Sequence, residues 1–462
     1  MDVQGRWRAR SRMPGAAPSL GRAIPSPGAG ARGRLRRRGR RPVGRCGRPV
    51  AAVLAFSSVL SLVASVLEAR PLRPGETILD RPRPEVTAHG GRLGRLWIRP
   101  TLTTALAFDD NVFANDAQRR SDVVLRTRPA VSAATDWRGH RASVSAAAEQ
   151  GTYLEQSDEN YLDLNAKAYG RVQLSRDIHA SATARWRRGH VPRQSVESQA
   201  DARAPTLFRA RGGEVLVKHR GEITDLSGTV RVRRLDYDDV ATRDGGRLNN
   251  DDRDRWVAEL TLTERMRLTH RLDRFARTRI NVRRYYAPVD DQGYARDSYG
   301  HATVAGLTWR PTGLTTLEGY SGVRQQIYAD ARFEPLFIPT AGFSVVTSPS
   351  QLTSLRLAVD QAVRETTTEA ASGRLITTLS ATVDHELRRD LLARLQLNAG
   401  IDDHRGVARW DQHLAAGASL TYLASRHLHA RLSVQHARLD VHGARARAFQ
   451  RNRVEVSLEV RY

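Results

Sequence analysis

The residues of this chain best suited to chemistry are arginines set two apart. Arg277, Arg279 and Arg283 alternate with Thr278, Ile280 and Val282, and Arg185 and Arg187 flank Trp186. Side chains two apart in an extended segment point the same way, so these guanidiniums would stand in rows along one wall. Such rows break no bonds; at a constriction they attract anions and repel cations. Arg394 and Arg431 hold comparable positions in later segments. Glu455 and Glu459, with Asp163, Glu259, Asp360 and Asp384, fall on the same side of theirs. Opposite charges on neighbouring strands also pair into ladders that only stiffen a sheet. Selectivity and stiffening are equal readings of the rows.

Other chemistry finds less support. His427 and His429 share a face, and a neighbouring strand would have to supply a third ligand to hold a transition metal. No spacing in the chain matches a metal signature, so polar lining is the expectation for both. The acid-rich stretch from Asp236 to Asp254 offers carboxylates and amide oxygens to calcium, but lacks the ordered spacing and final glutamate of an EF-hand loop. It is read as a solvated loop. No G-x-S-x-G elbow, phosphate-binding glycine loop or HExxH occurs. No catalytic set, cofactor or metal is expected.

The arginine rows need extended segments to position them, and alternation of apolar and polar residues recurs almost to the end of the chain. In the last ten residues Val454, Val456, Leu458, Val460 and Tyr462 take one face, and Arg453, Glu455, Ser457, Glu459 and Arg461 the other. The pattern returns at Leu428–Gln435, Ala393–Ala399, Ile178–Arg187 and Leu162–Ala168. A soluble sheet would bury its apolar face against a second layer and use larger residues than these many alanines. A membrane barrel turns that face to lipid and its charged face to a wet interior. Short polar turns recur roughly every 40 residues, room for two membrane strands of about 10 residues and a longer loop. Counting turns and loops gives an all-β, closed antiparallel up-and-down barrel of about 18 strands, with 16 inside the counting error.

Composition fits this. The formal charge is +25, but 14 arginines and one acid in the first 48 residues put +13 of it in the leading tail. The basic balance therefore does not indicate a nucleic-acid partner. The only cysteine, Cys46, precedes the apolar segment, so the remainder has no disulfide. A mean hydropathy of −0.50 excludes a bundle of membrane helices. One long apolar stretch, Val50 to Ala69, follows RGRLRRRGRRPVGRCGR in the order of an export signal. The expected divisions are a basic leader at 1–49, whose true start lies further in, a signal segment at 50–69, an irregular periplasmic segment at 70–95 and the barrel at 96–462.

Three stretches, FDDNVFAND at Phe108–Asp116, LRTRPAVSAATDW with Pro129 inside a strand, and ENYLDLNAKAYG, resemble the β-barrel porin 2 family of bacterial outer-membrane proteins. The resemblance runs from about Leu96 to Tyr462 and implies an outer-membrane barrel, often linked to exopolysaccharide genes, with no catalytic residues. The aromatic end, with Val456, Leu458, Val460 and Tyr462, looks like the signal read by the barrel-assembly machinery, although many barrels end in phenylalanine. Expected partners are outer-membrane lipid and lipopolysaccharide, that machinery, and polysaccharide-export proteins. The expected function is a pore or conduit for diffusion or polysaccharide export. A plugged structural or adhesive barrel is the alternative, and a barrel-embedded hydrolase the third.

Overall fold

The computed structural model describes residues 75–462, apart from Asp136, Arg138, Thr367 and residues 444–446. The expected basic leader and signal segment lie outside the described residues.

Eighteen long strands run in chain order. They are β1 Leu96–Asp109, β2 Asp122–Thr135, β3 Arg141–Tyr153, β4 Tyr161–Gln173, β5 Ile178–His190 and β6 Leu207–Arg220. Next come β7 Thr224–Tyr237, β8 Arg255–Arg267, β9 Leu272–Tyr285, β10 Ser298–Thr312, β11 Thr315–Tyr328 and β12 Leu336–Ser350. The set ends with β13 Thr353–Arg364, β14 Gly373–Arg388, β15 Leu391–Arg405, β16 Arg409–Tyr422, β17 Leu428–Gly443 and β18 Phe449–Arg461. Each pairs antiparallel with its neighbours, and β1 closes on β18 from Thr101↔Arg461 to Asp109↔Arg453. This is an 18-stranded up-and-down barrel, which leaves no sheet edge at the closure. Eight connections of two to five residues lie at one end with both strand termini, and the other nine, of three to 17 residues and mostly longer, lie at the other.

The alternation read in the sequence sorts the side chains. Val456, Leu458 and Val460 point outward and are about half exposed, while Glu455 and Glu459 point inward. Strands of 12 to 16 residues exceed the roughly 9–11 needed to cross hydrocarbon, and the polarity inverts where they project toward the long loops. There Ala437, Leu439 and Val441 of β17 face inward and join Ala114, Val196 and Phe449 in a small core. Arg438 and Asp440 pair on the outside at 2.7 Å. With water on both sides, the interior becomes the place to bury apolar surface.

Candidate functional site

One seam of the wall is incomplete. Pairing between β12 and β13 runs from Ser350↔Thr353 up to Phe343↔Val359 and stops there. Yet β12 continues to Leu336 along β11, and β13 to Arg364 along β14. Pro339 sits in the unpaired part of β12, where a residue with no N–H to donate is tolerated. Freed from β12, the end of β13 engages β11 and β9 instead. Arg324 of β11 donates to the Gln361 carbonyl at 3.0 Å, and Arg283 of β9 to the Val363 carbonyl at 3.2 Å. Just past the strand, Glu365 takes Arg283 at 2.6 Å and Arg255 at 3.7 Å. Behind it Val363 packs with Leu336, Leu375 and Ile338, which fill the seam with apolar side chains.

The space between this inward-leaning tip and the wall from β5 to β11 is a chamber of about 1100 Å³. Its cations fall in two groups. Arg187, Arg231, Arg247, Arg255, Arg279, Arg283, Arg296 and Arg374 each have a carboxylate within 4.0 Å. Arg185, Arg211, Arg233, Arg253, Arg324 and Arg364 also line it, and among the described residues none has a carboxylate that near. Amides of Asn281 and Gln326, the rings of Phe208, Tyr237 and Tyr285, and the carboxylates of Glu197, Asp252, Glu259, Asp290, Asp291 and Glu365 are also in the lining. Arg253 lies 4.2 Å from the Tyr237 ring centre and Arg187 5.2 Å from that of Phe208, geometry for cation–π attraction. Burial works to raise the Glu365 pKa, but Arg283 and Arg255 outweigh it and hold this carboxyl down at about 2.

The sequence profile of a family described as "Putative beta-barrel porin 2" matches residues 83–462. The chain belongs to this family. No curated protein matches it. Among solved structures it is similar to the siderophore receptor PirA from Pseudomonas aeruginosa, at 8% identity and a TM-score of 0.42, over 79% of this chain and 80% of that one. It is also similar to the outer membrane protein opdK from Pseudomonas aeruginosa, at 12% identity and a TM-score of 0.40, over 79% of this chain and 99% of that one. A third is the copper transporter OprC, at 10% identity and a TM-score of 0.44, over 80% and 82% of the two chains.

In this β-barrel porin 2 chain, Arg185, Arg187, Arg279 and Arg283 meet in the chamber. The other expected lumen residues lie elsewhere. Arg277 stacks 5.1 Å from Phe275 and faces Glu318 at 3.7 Å. Arg394 is held by Asp384 at 2.6 Å, Arg431 donates to Ser419 at 3.1 Å, and Glu459 takes Arg461 at 2.6 Å. Glu455 accepts from Arg126 and lies 3.3 Å from Arg453. Arg277, Arg394, Glu455 and Glu459 thus sit in ion pairs, the stiffening reading of the rows. His427 and His429 turn to the backbone carbonyls of Arg461 and Val86, at 2.9 and 3.3 Å. No cluster of three potential metal ligands exists among the described residues.

Sequence reasoning missed Arg233, Arg255, Arg324, Arg364 and Glu365. The signal for Arg233 was present, since Arg231 and Arg233 alternate with Val230 and Val232. Nothing in the sequence pattern shows that Glu365 crosses to β8 and β9. Also unforeseen is the strap formed by residues 77–87 of the family barrel, which seats at the short-turn end. Ile78 is fully buried against Leu392 and Leu423, with Val86 and Leu314 beside them, and its N–H donates to Ser354 at 3.0 Å. Arg81 and Arg83 share Glu386 at 3.2 and 2.8 Å.

Proposed function

We propose that this β-barrel porin 2 protein is an outer-membrane pore or conduit rather than an enzyme, and that it favours anions. The short-turn end faces the periplasm, and the cargo crosses by diffusion or by export of a polymer such as a polysaccharide. One observation carries the preference for anions: six arginines lining the chamber have no carboxylate within 4.0 Å among the described residues, so this part of the lumen carries excess positive charge. The outward row Val456, Leu458, Val460 and Tyr462 serves recognition by the assembly machinery. Lipopolysaccharide surrounds the long-loop end, and export proteins would dock at the short-turn end.

The test is conductance and reversal potential of the purified protein in planar bilayers under a salt gradient. Anion preference is expected, and it should fall when the unpartnered Arg185 and Arg233 are replaced by alanine, while Arg277→Ala, outside the chamber, moves it less. An unchanged reversal potential in the double variant would remove the chamber from the explanation. The strap and the inward tip favour a second reading, a plugged structural barrel. Folded protein that never conducts would support that one.

A further inference from the structure

We propose that the arginine chamber is a binding site for an anion carrying several carboxylate or phosphate groups, and that Glu365 occupies part of this site as an internal competitor. The inference rests on the pore reading and goes further, because a pore needs only a positive potential, whereas this site has separate places for separate charges. Arg185, Arg233, Arg253, Arg324 and Arg364 line one chamber with no carboxylate within 4.0 Å among the described residues. The Nε atoms of Arg255, Arg279 and Arg324 are buried without a hydrogen-bond partner. Buried donors are ordinarily satisfied, so these mark positions that an acceptor would fill. A single small anion meets one or two guanidiniums; only a multiply charged one engages the set.

Glu365 shows what such an acceptor does here. Its carboxylate arrives from β13 and bridges Arg255 of β8 and Arg283 of β9. The tip that carries it has no ladder to β12; besides its pairing with β14, it is fastened by those contacts and by the guanidinium-to-carbonyl bonds at Gln361 and Val363. A ligand carboxylate or phosphate competes for the same N–H groups. By taking them it loosens the hold of β8 and β9 on the tip, which stays paired to β14, so that occupancy and width of the lumen are coupled.

Binding to the full chain folded in detergent at low salt is measured by calorimetry, with citrate, a tetragalacturonate and neutral maltotetraose as probes, alongside bilayer conductance. Citrate and tetragalacturonate are expected to bind and maltotetraose not. A higher affinity for citrate identifies a free polycarboxylate as occupant, and a higher affinity for tetragalacturonate an acidic polymer. Arg324→Ala should weaken binding about tenfold, the loss expected for one charge-assisted contact. Arg364→Ala, at an exposed chamber residue, repeats the test if Arg324→Ala does not fold. Glu365→Gln should strengthen binding severalfold. Equal binding of maltotetraose, or an affinity unchanged or lowered in Glu365→Gln, overturns the proposal. Binding without conductance supports the site and sinks the pore reading; conductance without anion binding sinks the site alone.

Discussion

Replacing Glu386 by alanine should release the strap from the short-turn end of the barrel. Arg81 and Arg83 both reach this carboxylate, at 3.2 and 2.8 Å, and the three side chains are only 4, 8 and 6% exposed. Removing one partner from a buried ion pair costs about 3–5 kcal/mol, because the remaining charge stays desolvated. At 1.4 kcal/mol per power of ten, the docked strap would lose about two to three and a half powers of ten in population ratio. The strap can escape part of that cost by undocking, which returns both arginines to water, so opening is the outcome to look for. The amides of Asp80 and Arg81 report it, since they donate to Thr77 and Ile78 carbonyls at 3.0 and 3.3 Å inside the strap. Hydrogen exchange there should quicken about a hundredfold, while the β14 amides stay protected. Glu85→Ala is the control: its pair with Arg389, at 2.6 Å, is 39 and 47% exposed, and such pairs contribute about 0–1 kcal/mol. Exchange equally slow in both variants would refute the claim that the shared carboxylate holds the strap.

Two further outcomes follow from buried and shifted carboxylates. The Glu365 carboxyl is lowered from 4.5 to about 2 in the folded chain, so its contribution to holding the tip is complete above pH 4.5 and is lost as pH falls toward 2. Amide exchange in residues 368–372, corrected for intrinsic rates, should accelerate over that window in the native protein and not in Glu365→Gln; added protection in acid would contradict the assignment. Asp109 is 1% exposed and accepts from Arg451 Nε at 2.9 and 3.0 Å, near the closure of β1 on β18. Asp109→Ala should therefore destabilise the barrel by about 3–5 kcal/mol, visible as a lower temperature for loss of the compact band on semi-native gels, whereas Asp110→Ala, at a more exposed carboxylate, should shift it little.

The architecture was legible because period-two alternation is a local property that each strand repeats. The count of 18 strands, the closure and the inward face of Arg277, Arg279 and Arg283 all follow from it. What escaped was where the pattern changes meaning. At Ala437, Leu439 and Val441 the apolar face turns inward, because the strand has left the membrane. Leu392 likewise points inward, since Ile78 of the strap needs an apolar seat. Pro339 was the one local sign of the open seam, and it marks an unpaired edge without saying where the neighbouring strand goes. The crossing of Glu365 depends on contacts more than 80 residues apart in sequence, between β13 and β9, and no spacing rule reaches that far.

The arginine rows differ in how fully carboxylates match them along the lumen. Toward the short turns several cations are matched: Arg394 with Asp384, Arg277 with Glu318, Arg81 and Arg83 with Glu386. A matched pair presents little net field to a passing ion and contributes mainly to cohesion of the wall. In the chamber the carboxylates run out before the guanidiniums do, and the excess charge sits among walls that screen it less than bulk water. A unit charge 4 Å away is worth about 1 kcal/mol in water and about 4 at the effective dielectric of a protein surface. On the proposed reading, several unmatched guanidiniums would set selectivity at this height, and lengthening the matched rows elsewhere would alter stability while leaving the proposed preference for anions unchanged.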